Sequence, residues 1–131
     1  MTTREPIWIE KQAIVTLHDR SLALHGGPAG IRDEGLLESA LQRPRNRFFY
    51  EGEASIAALA ATYAVGVASN RPFLDGNKRA AYQAMILFLA INDAPLGGDR
   101  VDAINTMLGV AAGDIDIDTL AAWVRTNSVA T

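Results

Sequence analysis

The chain has no cysteine in its 131 residues. Disulfides and cysteine-based zinc sites are therefore excluded, and a reducing compartment suits it. Long hydrophobic runs are also missing. The run Met85 to Ile91 is far short of the roughly 20 apolar residues a membrane helix needs. The opening MTTREPIWIEK lacks the apolar centre of a signal peptide. Positive charge is not in excess: 12 Lys and Arg stand against 15 Asp and Glu, for a net charge of −3, so nucleic-acid binding over the whole surface is not expected. No repeat, low-complexity segment or convincing strand alternation is visible. These absences leave a soluble, cytoplasmic, single-domain protein. Its 49% apolar residues are enough to build a core.

What is present is helical. Gly and Pro divide the chain into about six stretches, near 7–24, 33–42, 54–69, 78–92, 99–112 and 116–127. Ile7, Ile14, Leu17, Leu22 and Leu24 sketch an apolar stripe on the first, and GGPAG (26–30) ends it. RPRNRFFYEG (43–52) reads as a loop, and a small hairpin in 43–53 or 93–98 stays open. The third and fourth helices are apolar nearly all round, which marks them as central. The fold class is all-α.

The loop between those two helices, NRPFLDGNKRAA (70–81), breaks a local rule. Lys78 and Arg79 fall in the first turn of a helix, where the backbone is already electropositive. Each costs about 0.3–1 kcal/mol there, unless an anion sits between them and the free N–H groups of that turn. Asp75 or Asn77 can cap the helix. Gly76 permits a positive φ or a close backbone approach, and Asp75 offers oxygen to Mg²⁺. A plain turn before a solvated helix start is the alternative. The loop is not a Walker A sequence, because Ala80 follows Lys78 and Arg79.

These residues resemble the motif of the Fic/Doc superfamily, H-x-F-x-[D/E]-x-N-[G/K]-R, and Lys78 resembles its Doc branch. GIRDEGLLESAL (30–41) is also similar to the first part of Doc-like chains. The resemblance implies an all-α domain with the motif between two central helices, and ATP with Mg²⁺ as cofactors. It implies a toxin of a Phd–Doc-like toxin–antitoxin pair. Such a toxin transfers the γ-phosphoryl of ATP to a hydroxyl of a translation factor, elongation factor Tu, and blocks translation. Fic-type transfer of AMP is the alternative. A Phd-like antitoxin, its C-terminal segment in a groove of the toxin, is the implied partner, and DNA binding would fall to that partner.

Carried over by position, Phe73 anchors the loop, Asp75 holds the metal, and Asn77, Lys78 and Arg79 contact phosphates beside Gly76. Gln83 falls near the nucleotide, although a bond within the core would also suit a buried amide. The catalytic positions are Asp75 and position 71. The motif begins there with histidine, the general base, and this chain has Arg71. A guanidinium stays protonated and has no acceptor, so it cannot take a proton. The chain is then either a disarmed toxin or a natural pseudoenzyme that binds nucleotide or antitoxin. His18 and His25 lie outside the motif and read as a helix-face residue and a helix C-terminal residue.

Other features have bland readings beside sharp ones. Arg43, Arg45 and Arg47 interleave with Phe48, Phe49 and Tyr50. That pattern suits single-stranded nucleic acid or substrate docking, or simply aromatics covering the core beneath solvated arginines. Asp114, Asp116 and Asp118 alternate, but Thr119 and Arg125 stand where an EF-hand needs Gly and Glu, so capping explains them better. Arg32 and Asp33 either face the cleft or are a surface charge and a cap. Trp8 and Trp123 suit core or a partner groove.

Overall fold

The computed structural model describes residues 4–129. Among them run six helices: α1 Lys11–His25, α2 Glu34–Glu51, α3 Ile56–Asn70, α4 Asn77–Ile91, α5 Arg100–Ala112 and α6 Ile117–Asn127. α3 and α4 pack against each other at the centre. α2 and α6 flank α3, α1 lies against α4, and α5 touches both central helices. α3 buries nine of its residues, from Ala58 to Val67, which is why its sequence is apolar nearly all round. Tyr63 and Phe88 meet between the two central helices with ring centroids 5.0 Å apart. No described helix is long and apolar enough to cross a membrane.

Two sequence expectations need correction. α1 begins at Lys11, and residues 7–10 form an extended strap. Asn92 holds the strap by accepting from Ile7 N at 2.8 Å and donating to Ile7 O at 2.9 Å. Ile7 and Leu24 are exposed, so the apolar stripe is narrower than expected. The supposed loop 43–52 is instead the second half of α2. Pro44 sits inside that helix, buried, and deprives Ala40 O of its usual donor. Packing outweighs the loss. α2 packs closely on α3, with Gly66 beside Ala40. Arg47 adds a bond to Thr62 Oγ1 at 2.8 Å. Gly52, with φ 72°, finally stops the helix. Hairpins are absent among the described residues. Segment 93–98 carries only an isolated bridge, Leu96 to Ser128.

Candidate active site

α3 ends where Pro72 follows Arg71, because the residue before proline is steered away from right-handed helix. Arg71 takes the left-handed conformation, φ 49° and ψ 57°, and its N–H donates back to Val67 O at 3.0 Å. The loop then turns inward. Phe73 is buried, and its ring stacks on His18 of α1 at 4.0 Å between centroids. Burying such a side chain is worth about 1.5–3 kcal/mol, so Phe73 pins the loop to the core.

Three further contacts fix the loop's path. Residues 30–33 run alongside it: Leu74 N donates to Gly30 O at 3.1 Å and Arg32 N to Pro72 O at 2.6 Å. The Arg32 side chain donates from Nε to Arg71 O at 2.8 Å and from Nη2 to Asn70 O at 2.9 Å. Arg32 is thus a clamp on the end of α3, whereas Asp33 is the cap of α2, accepting from Leu36 N at 2.9 Å. Asn77 closes the loop, since Oδ1 accepts from Phe73 N at 2.9 Å and Nδ2 donates to Phe73 O at 3.0 Å.

The expectation that Asp75 or Asn77 caps α4 is therefore corrected. Gly76 is the N-cap, with φ 73° and no side-chain cap bond. The first helical bond runs from Ala80 N to Gly76 O at 2.8 Å, so the amides of 77–79 have no helical acceptor. With its side chain committed to Phe73, Asn77 offers a ligand its backbone N–H. Gly76 is needed for room as well as for φ, since a Cβ there would lie 2.9 Å from His18 Cε1.

Arg71, Asp75, Gly76, Asn77, Lys78 and Arg79 line one polar cavity of about 520 Å³, with His25 at its edge. The sequence-predicted residues at 71 and 75–79 thus converge. Gln83 lies further along α4, in an apolar cavity of about 590 Å³ between α1, α4 and α5. The two cavities share His25, Lys78 and Arg79. In the second, Ser21 Oγ and Gln83 Oε1 are buried without a hydrogen-bond partner among the described residues. The core-bond reading of Gln83 therefore fails for its oxygen.

Asp75 lies against the 26–30 connection, where any Cβ on Gly27 would collide with its carboxylate. No hydrogen bond or ion pair ties that carboxylate down, and no group of three acidic or histidine ligands forms among the described residues. A lone carboxylate beside cations and free amides would fit Mg²⁺ if phosphate were bound there, since Mg²⁺ takes most of its ligands from phosphate and water.

His18 was not foreseen as part of the site. It is buried under the loop, and neither ring nitrogen makes a well-aligned hydrogen bond among the described residues, although the Asp75 backbone lies near the ring. Burial pushes its pKa below the usual histidine range, against the opposing pull of the nearby Asp75 backbone. The signal was in the sequence: Ile14, His18 and Leu22 recur every four residues, which puts His18 on the inward face.

The Fic/DOC family model matches residues 8–89, a span that includes α3, the whole loop and α4 as far as Leu89. The chain belongs to the Fic/Doc family. It is of the Doc type. Over 117 residues it is 31% identical to a protein named "Protein kinase doc" from Escherichia phage P1, covering 89% of this chain and 92% of that one. Over 100 residues it is 36% identical to "Toxin Doc" from Mycolicibacterium smegmatis, covering 74% and 77%. The Fic/Doc match gives the helix-flanked loop its context.

Proposed function

We propose that this Doc-type toxin holds ATP with its phosphates at the N-terminus of α4 and the rest of the nucleotide toward Gln83. The observation that carries the reading is the convergence of Arg71, Lys78, Arg79 and three unsatisfied amides on one cavity. Asp75 would hold Mg²⁺, which when bound neutralises charge on the phosphates. Phosphoryl transfer to a protein hydroxyl forms a bond from that oxygen to the γ-phosphorus and breaks the one to ADP. The hydroxyl proton must go to a base, and Arg71 cannot accept it. His18 does not fill the vacancy, because it is buried beneath Phe73.

The name of the relative called a protein kinase supports phosphoryl transfer to a protein as this site's chemistry; a translation factor is the target we infer for it, with Arg71 suppressing the transfer. Arg71→His is expected to raise ATP-dependent modification of elongation factor Tu by about 10²–10⁴-fold, the usual worth of a positioned base. ATP labelled on the γ- or α-phosphate separates phosphoryl from AMP transfer. A revertant that labels nothing and arrests no growth would refute the reading.

An antitoxin is the expected partner. The mouth of the apolar cavity exposes Leu24 and Ile104, with Val101 and Leu108 beside it on α5 and Arg20 and Arg100 around it. Apolar side chains ringed by cations suit an acidic amphipathic segment of the antitoxin that folds as it docks. Ile104→Asp would then abolish co-purification of the antitoxin.

A further inference from the structure

Position 71 is a costly place for arginine. A non-glycine residue in the left-handed region costs about 1–2 kcal/mol, and helix ends of this shape usually carry Gly or Asn. The fold supports that conformation nonetheless, through the two bonds from Arg32 to the carbonyls of 70 and 71. The side chain held there is exposed and borders the polar cavity with Lys78 and Arg79. Asp75 is the sole carboxylate among the described residues lining that cavity. None of the three cations has a carboxylate within salt-bridge distance among the described residues. Charge of one sign is therefore concentrated around empty amides. An independent sign of a ligand lies in the adjoining cavity, where Ser21 is 5% exposed and its hydroxyl has no partner.

We propose that Arg71 is a phosphate ligand: it joins Lys78 and Arg79 to hold the polyphosphate of a nucleotide that the chain cannot transfer. The inference rests on the nucleotide reading above and adds a role for the residue that disables the chemistry. A planar guanidinium can grip two phosphate oxygens in a fixed fork, whereas a lysine binds them as a flexible point charge and a neutral imidazole offers a single N–H. The same substitution removes a base and adds a clamp. The product is a holder of nucleotide whose occupancy no longer ends in turnover.

The test is calorimetric binding of Mg²⁺–ATP and of inorganic tripolyphosphate to the full chain and to its Arg71→Lys, Arg71→His and Arg71→Asn variants. Asparagine suits the left-handed backbone, so a loss of affinity there does not reflect misfolding. At about pH 8 the histidine is neutral. The expected order is Arg tightest, then Lys, then His and Asn together. The last two should bind both probes at least about ten-fold more weakly, as the loss of one charge-assisted bond implies. Their binding should also be less sensitive to salt. If ATP binds all four proteins equally, or the Asn variant most tightly, Arg71 is no ligand, although the nucleotide reading survives. If no variant binds either probe, the nucleotide reading itself falls and takes this one with it.

Discussion

The N-termini of α4 and α6 are finished in opposite ways. α6 opens with Asp116, whose Oδ1 accepts from Thr119 N at 2.8 Å, and Asp118 follows in the first turn. Carboxylates there answer the free amides and the helix dipole from within the chain. α2 and α5 are built likewise, on Asp33 and Asp99. α4 has a glycine cap, no acid in its first turn, and two cations instead. α1 also carries a first-turn cation, but Lys11 is paired with Glu34 and Glu38. Arg100 opens α5 beside the apolar cavity, but Asp99 caps that helix and Asp102 follows in its first turn. Among the described helices, only α4 sets two first-turn cations without a salt bridge in a turn that holds no acid. The difference teaches that most helix ends here serve the fold, whereas this one is left for a ligand to complete.

The largest expected effect comes from forcing α4 toward the ordinary pattern at its cap. Gly76→Ala puts a methyl into space held by His18 and gives a non-glycine residue a positive φ. The cost is about 1–3 kcal/mol, and the loop must shift to relieve it. The variant should melt several degrees lower and lose affinity for tripolyphosphate. The matching change at α6, Asp116→Ala, should lower the melting temperature slightly and leave ligand affinity alone. Equal losses of affinity in both variants would show that the two ends are not distinct in kind.

Much of this contrast was legible in the sequence. Lys78 and Arg79 at the start of an apolar run are a charge pattern that no structure is needed to see, and the DIDID segment reads directly as capping. The six helices and their order were likewise visible in apolar runs broken by Gly and Pro. What stayed hidden depends on contacts between distant residues. Pro44 reads as a helix breaker because its cost is local, while its compensation comes from the packing of α2 on α3 and the Arg47 bond to Thr62. Asn77 reads as a cap until Phe73 is seen to occupy both ends of its amide. Arg32 could be a surface charge or a cleft residue, and only the fold brings it to the carbonyls of Asn70 and Arg71.

Acid should separate the two helix ends. His18 supports the α4 cap and is buried in its neutral form, with a pKa held below the 6.5 of a free histidine. The unfolded chain then binds more protons than the folded one, so stability rises with pH through that window. It is complete above about pH 6.5 and declines as pH falls below it. Asp116 acts lower on the scale. The Thr119 backbone bond depresses its pKa below 3.8, so its contribution stands above that value and is lost as pH falls through the folded pKa. Denaturant titrations between about pH 7 and pH 5 should therefore show a loss of stability that His18→Leu flattens and Asp116→Asn leaves in place. If the slope survives in the leucine variant, the imidazole is not the group that charges.

The smallest effect is the sharpest test of what α4 is for. Lys78→Glu replaces a cation by an anion in the first turn, as Asp118 already provides in α6. By the dipole argument the unliganded chain should gain about 0.3–1 kcal/mol, read as a slightly higher denaturant midpoint. Mg²⁺–ATP binding should meanwhile fall by at least about ten-fold, because a favourable contact becomes a repulsive one. Opposite signs are the point of the measurement, since a lysine kept for stability would lose on both counts when replaced. A chain that retains a residue its own backbone disfavours, in a turn that other helices fill with aspartate, retains it for something outside the chain. Added ATP should reverse the order of the two midpoints, making the wild-type chain the more stable of the pair.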